Sequence, residues 1–345
     1  MLRASTIACY LAAASIALAQ GAASQDISPA LIEAAKKEGS LTWYTTQIVD
    51  QFARPAALAF EAKYGIRVNY VRADPADIVL RISAEAKAKR MQADVYDGTS
   101  TSPALKKQGL AMKWLPSSAK RLGPDLFDKE GYWTATNLYV LTPGYNTDLV
   151  SPGAEPMTLD DLLDPRWKGR MVWSRRPASS AGPGFIGLVL AERGDEKGMN
   201  YLKALAQQNI TALDGAARQV LDQVIAGEYA LSLMIFNHHT RISAAKGAPV
   251  NWAPMQPAMT VLSVIGLTKE APNPNAGKLF VEFLTSVEGQ SFFRDANYIP
   301  VDPTVAIKDE SLRPDGSRFR TVYMTPEQID VAMPHWVDIQ NKLFR

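Results

Sequence analysis

Gly227-Glu228-Tyr229-Ala230-Leu231-Ser232-Leu233-Met234-Ile235-Phe236-Asn237-His238-His239 reads as a helix end, a buried strand, and two adjacent histidines delivered at the strand's carboxyl end. In open α/β sheets, ligands settle in the crevice outside the carboxyl ends of the strands. The pair is therefore a candidate site before any wider pattern is considered. With His335, it accounts for all 3 histidines of the chain.

Working outward, strands and helices alternate. Pro29 to Glu38 has helical composition and is closed by Gly39, a common C-terminal stop. Leu41 to Tyr44 is a short strand. Phe52 to Lys63 places Phe52, Ala56, Ala59 and Phe60 at helical spacing before Gly65. Ile66 to Val71 alternates as a strand, Ile78 to Lys89 is a helix, and Asp94 to Tyr96 is another strand. The scheme recurs in Met171 to Trp173, Gly184 to Glu192, Gly198 to Gln207, Ala216 to Ile225 and the strand Tyr229 to Ile235. Thr260 to Leu267 is apolar and β-branched, and Ala276 to Thr285 and Gln290 to Asn297 close as helices. Such β-α-β order predicts an α/β fold, with mainly parallel sheets covered by helices.

Composition bounds the function. The chain has 345 residues, enough for two domains of ordinary size. Lys+Arg of 37 against Asp+Glu of 35 leaves no charge that would call for a nucleic-acid partner. Met1-Leu2-Arg3, the apolar run Ile7 to Leu18 and the small residues Ala17 to Ser24 have the layout of a secretory signal peptide over 1–24. That run is too short to span a bilayer. The single cysteine, Cys9, lies inside it, so the mature chain is expected to carry neither a disulfide nor a thiolate metal ligand. No Gly-x-Ser-x-Gly elbow, phosphate loop with Lys-Ser or Lys-Thr, or His-Glu-x-x-His is present. A periplasmic hydrolase using a histidine base would lack a marked nucleophile.

Several motifs together carry a resemblance. Leu41-Thr42-Trp43-Tyr44-Thr45-Thr46, Phe60-Glu61-Ala62-Lys63-Tyr64-Gly65-Ile66-Arg67-Val68, Gln92-Ala93-Asp94-Val95-Tyr96, Asp164-Pro165-Arg166-Trp167-Lys168-Gly169-Arg170 and Tyr298-Ile299-Pro300-Val301 resemble periplasmic ABC-transporter solute-binding proteins. The nearest group contains the ferric-iron-binding proteins and their relatives for phosphonates, sugar phosphates and thiamine. The resemblance implies the two-lobed type II periplasmic fold, with 25–140 plus 268–345 as lobe 1 and 141–267 as lobe 2. Hinge crossings are expected near 137–145 and 256–267, and the stretch from Lys269 would return to lobe 1. It also implies a monomeric, non-catalytic capture subunit that needs no cofactor, partnered by an inner-membrane permease.

In iron-binding members two consecutive tyrosines follow the strand that here runs Tyr229 to Ile235; their positions hold His238 and His239. The histidine and glutamate ligands of those members fall about at Ile48 and Thr99. Ferric iron favours anionic oxygen donors over imidazole, so the expected solute is a small organic or phosphorylated anion. A metal ion or metal chelate is the alternative, with His238 and His239 as ligands. The pair admits three roles: contact with an organic solute, metal ligation, or a hydrogen-bonded turn.

Other candidates favour an anion. Thr99 and Ser100 precede a helix at Ala104 to Gln108, where hydroxyls and free amides suit an oxyanion. Ser179 and Ser180 do the same in the second lobe, matching the family's anion-side loop. Arg175 or Arg176 offers a guanidinium for a carboxylate or phosphate, and Arg218 is a second charge partner. Thr45, Thr46 and Gln47 are placed at the rim, and Trp133, Tyr139 and Trp252 are candidates for an apolar wall.

Overall fold

The computed structural model describes residues 27–314 and 319–344, so the expected signal peptide lies outside the described residues. The first third contains α1 (Pro29–Glu38), β1 (Ser40–Thr45), α2 (Arg54–Tyr64), β2 (Arg67–Arg72), α3 (Pro75–Lys87), β3 (Val95–Gly98) and α4 (Thr101–Lys107). A long strand, β4 (Thr134–Asn146), leads to β5 (Met171–Ser174), α5 (Gly182–Arg193), α6 (Asp195–Ala206), β6 (Thr211–Leu213), α7 (Ala217–Ile225), β7 (Leu231–Phe236), α8 (Asn237–Ala244) and β8 (Val250–Trp252). A second long strand, β9 (Ala258–Leu267), is followed by α9 (Pro274–Leu284), α10 (Val287–Asp295), β10 (Ile299–Pro300), β11 (Thr321–Met324) and α11 (Pro326–Leu343).

The strands run in the order β2-β1-β3-β9-β4-β7-β5-β6. At one end β1 pairs in parallel with β2 and β3; at the other β5 pairs in parallel with β6 and β7. Between the two parallel groups, β4 and β9 run antiparallel to each other. Each half is thus a parallel α/β unit, as the alternating sequence pattern predicts, with the long strands β4 and β9 between them.

The core explains why these segments close. Trp43 of β1 meets Phe280 of α9 at 5.1 Å between ring centres, and Phe52 meets Phe293 of α10 at 4.0 Å. All four rings are buried, and each such side chain contributes roughly 1.5–3 kcal/mol of apolar transfer.

Two local outcomes differ from the sequence reading. The histidine pair does not end in a turn: α8 starts at Asn237, so His238 and His239 occupy its first helical turn. Its first turn, Asn237 to Thr240, is made of poor helix formers, and tertiary contacts override propensity. Asn237 donates to the Leu312 carbonyl at 3.0 Å, and Arg218 donates to Ser243 Oγ at 2.8 Å. The C-terminal helix α11 was not read from the sequence. It packs on α5 and touches α4, where Lys107 pairs with Asp330.

Candidate functional site

The carboxyl ends of β1, β2, β3, β5 and β7 converge on one cleft between the two halves. Its walls include Thr46 after β1, Arg72 at the end of β2, Thr99 after β3, Ser179 and Ser180 after β5, Arg218 in α7, and Phe236 and His239 at the β7–α8 junction. Tyr139 and Tyr298 form its back. The enclosed room is about 60 Å³, enough for roughly four waters at about 15 Å³ each.

Asp97, fully buried in β3, organises one wall. Its carboxylate accepts from Trp43 Nε1 at 2.8 Å, Thr45 Oγ1 at 2.6 Å, Thr46 Oγ1 at 2.7 Å and the Thr46 amide at 2.8 Å. Burial raises its pKa, and the bonds from Thr45, Thr46 and Trp43 oppose the rise. Because the Thr46 hydroxyl spends its proton on Asp97, it offers a solute only acceptor lone pairs. Beside it, Gly98 has φ +143°, and a Cβ there would lie 2.9 Å from Thr101 Cγ2 and 3.2 Å from Thr46 Cγ2. Glycine lets the loop carrying Thr99 sit against Thr46.

The opposite wall is the loop before α5. The first amides of a helix lack intrahelical partners and carry the positive end of its dipole, which suits an anion. Ser179 Oγ donates to Thr99 Oγ1 at 3.5 Å, bringing the hydroxyls of the two halves together.

His239 lines the cleft, whereas His238 lies behind it. His238 stacks on Tyr139, with ring centres 5.6 Å apart and planes 15° apart, and lies 4.4 Å from the Tyr298 ring. Burial pushes the His238 pKa down to about 3. His239 is also held well below the ordinary value, by burial first and then by His238, Arg218 and Arg72. Both imidazoles are therefore neutral at pH 7. Burial pushes Tyr139 up to about 12, with Asp97 adding to the rise, and raises Tyr298 well above the ordinary tyrosine value. Neither phenol is a phenolate at neutral pH. Among the described residues no three His, Cys, Asp or Glu side chains gather as a ligand set for a metal ion.

Of the ten site residues named from sequence, Thr46, Thr99, Ser179, Ser180, Arg218 and His239 line the cleft. Four do not. Thr45 turns inward to Asp97, and His238 is a buried packing partner. Ser100 lies on a separate apolar groove with Val79 and Met333. Arg175 points away and pairs with Asp214 at 3.1 Å. Of the rim and wall candidates, Gln47 is buried and donates to Ser263 Oγ at 3.1 Å. Trp133 bonds Glu327 at 2.9 Å, and Trp252 packs on Phe319, so Tyr139 alone of the three aromatics reaches the cleft. Arg72 was missed. It ends a strand as the histidine strand ends, and the same strand-end rule applied to β2 would have found it.

The chain belongs to the bacterial extracellular solute-binding protein family, whose model matches residues 56–314. It is 23% identical over 310 residues to a putative 2-aminoethylphosphonate-binding periplasmic protein of Salmonella typhimurium, covering 88% of this chain and 85% of that one. It is 22% identical over 266 residues to iron uptake protein A1 of Synechocystis sp., covering 72% and 73%. Among solved structures, the periplasmic binding protein AfuA of Actinobacillus pleuropneumoniae, with fructose-6-phosphate bound, superposes with a TM-score of 0.77 at 21% identity, covering 89% of this chain and 98% of that one.

Proposed function

We propose that this protein is the periplasmic capture subunit of an ABC importer, closing its two lobes on a small organic or phosphorylated anion without transforming it. The observation that carries this is the composition of the cleft wall: hydroxyls of Thr99, Ser179 and Ser180, in the loops leading into α4 and α5, and the guanidiniums of Arg72 and Arg218. Among the described residues that line the room, the one carboxylate is Asp74, and it is taken by Arg176; Asp97 lies buried behind Thr46 with its oxygens already bonded. A small pocket lined by donors and cations, with its one acid already paired, favours an anion. His239, neutral and facing the cleft, would read the uncharged part of the solute.

The lobe boundaries near 140 and 267 belong to this proposal, with β4 and β9 flexing as hinges around the solute. A small-molecule solute and a membrane permease are the partners that the family implies. A monomeric state and no nucleic-acid partner complete the proposal. A hydrolase is disfavoured because His239, the imidazole on the wall, has no activated nucleophile beside it. The second possibility is a metal chelate that brings its own donors to His239, in keeping with a relative named for iron uptake.

Titration calorimetry of the mature chain against phosphate monoesters, phosphonates and carboxylates tests the proposal, with product assayed in the same samples. One-to-one binding without turnover is expected, weakened about tenfold or more by His239→Ala, the loss of one well-made polar contact. Turnover of a bound ester would replace capture by catalysis. Unchanged affinity in the variant would remove His239 from the site.

A further inference from the structure

The cleft does not end at its enclosed part. A second chamber of about 280 Å³ adjoins it, and Arg72 and Arg218 line both. The enclosed part, about 60 Å³, is the smaller of the two. A solute with its head in the inner cavity and more bulk than that cavity holds has its way out past the two guanidiniums, into the chamber. There it meets Lys246, beyond the end of α8, and the turn Val49 to Gln51.

Two of the cations of this chamber are not balanced within the described residues. Arg72 and Lys246 are exposed, and neither has an ion-pair or hydrogen-bond partner for its side chain among the described residues. Arg218 gives one nitrogen to Ser243 Oγ at 2.8 Å and another to Asp222 at 2.7 Å. A guanidinium carries five N–H donors, so Arg218 retains capacity for a further acceptor. Among the described residues that line the chamber, the one acid, Asp50, is engaged by Arg54 at 3.2 Å. Three cations brought by β2, α7 and the end of α8, from both halves of the molecule, thus face one space with no free carboxylate in it.

Resting on the anion-capture proposal, we propose that the solute carries two anionic groups: one in the inner cavity against Ser179 and Ser180, and a second in the side chamber against Arg72, Arg218 and Lys246. The chemical class is a phosphorylated acid or a bisphosphate of small size. Arg72 and Arg218 stand between the two compartments, where they meet either charge, and Lys246 belongs to the chamber alone. The cations approach from different elements and from both lobes, so the second anion also ties the lobes together in the closed state. Guanidinium suits this task because its planar fork matches carboxylate and phosphate oxygens.

The test is calorimetry with two matched pairs of probes: glycerol 3-phosphate against 3-phosphoglycerate, and fructose 6-phosphate against fructose 1,6-bisphosphate. In at least one pair the member with the second anion is expected to bind about tenfold or more tightly, the effect of one charge-assisted contact. In Lys246→Ala that gap narrows, and in the double variant Arg72→Gln with Lys246→Ala it falls below about threefold, the same contact having been removed. Raising the salt concentration narrows it too, because the chamber is open to solvent. Lys246 is exposed, so its substitution leaves the core untouched. Equal affinities within both pairs, or a gap that survives the double variant, would overturn the second subsite while leaving single-anion capture standing. Binding of none of the four probes would overturn both.

Discussion

The guanidinium of Arg176, in the loop after β5, pairs with Asp74 at the head of α3, and its other nitrogen reaches Asp77 at 3.2 Å. The two halves are thereby fastened across the mouth of the cleft. Asp74 occupies the N-cap position of α3 but makes no cap bond with its side chain; its carboxylate is turned to Arg176 instead. Adjacent arginines thus have different fates, Arg175 bonding within its own half and Arg176 bridging the two.

Arg176→Ala is expected to shift the unliganded protein toward the open form. Partly exposed pairs of this kind contribute about 0.2–1 kcal/mol, so solute affinity should fall by up to about fivefold. Small-angle scattering of the solute-free variant should show a larger radius of gyration. An unchanged radius would mean the pair does not bias closure.

Acid should destabilise the fold through the buried histidines. For His238 the folded pKa, about 3, lies below the ordinary value of 6.5, so the unfolded chain binds the proton more readily. The full contribution is present above about pH 6.5 and is lost progressively as the pH falls toward 3. At pH 5 the loss from this one group is about 2 kcal/mol. His238→Phe keeps a ring against Tyr139 and removes the proton site. Its melting temperature should fall less steeply between pH 7 and 5 than that of the parent; parallel curves would contradict the assignment.

Asp97→Asn should be costly, because an amide cannot accept the four bonds that the carboxylate receives. Losing well-made bonds to a buried charge costs about 3 kcal/mol or more, which for a chain of this length corresponds to a drop in melting temperature of at least about 4 °C. Thr46 loses its anchor at the same time, so solute affinity should fall with stability. A variant as stable as the parent would show that the cluster is not a support of this wall.

Gly184 lies in the first turn of α5, where an added Cβ would stand 1.8 Å from the Ser179 carbonyl oxygen. Gly184→Ala must displace the loop that presents Ser179 and Ser180. Binding should weaken by about a hundredfold, the loss of two polar contacts, while far-UV circular dichroism stays that of a folded protein. Retained affinity would remove that loop from the site.

Much of the parallel framework was legible because the strands are continuous apolar runs and the helices end at glycines such as Gly39 and Gly65. The cleft itself was half legible. Thr46, Thr99, Ser179 and His239 follow from the rule that sites lie at strand ends, but the choice between neighbours does not. Whether Thr45 or Thr46, His238 or His239, faces the cleft depends on partners distant in sequence, such as Asp97 and Tyr298. Arg72 gains its significance from Arg218, which approaches it only through the fold. For α11 a local sign was present: Thr325 and Gln328 form a capping box with Pro326 between them.

The most direct test of anion capture is a thermal-shift measurement on the chain from Ser28 onward, with phosphorylated and carboxylated anions and with ferric and zinc ions, each with and without chelator. A ligand that binds only the folded state stabilises it by about 2.7 kcal/mol at a hundredfold excess over Kd. The expected result is a clear rise with an organic anion that persists in chelator. A rise seen only with metal, and abolished by chelator, would contradict it.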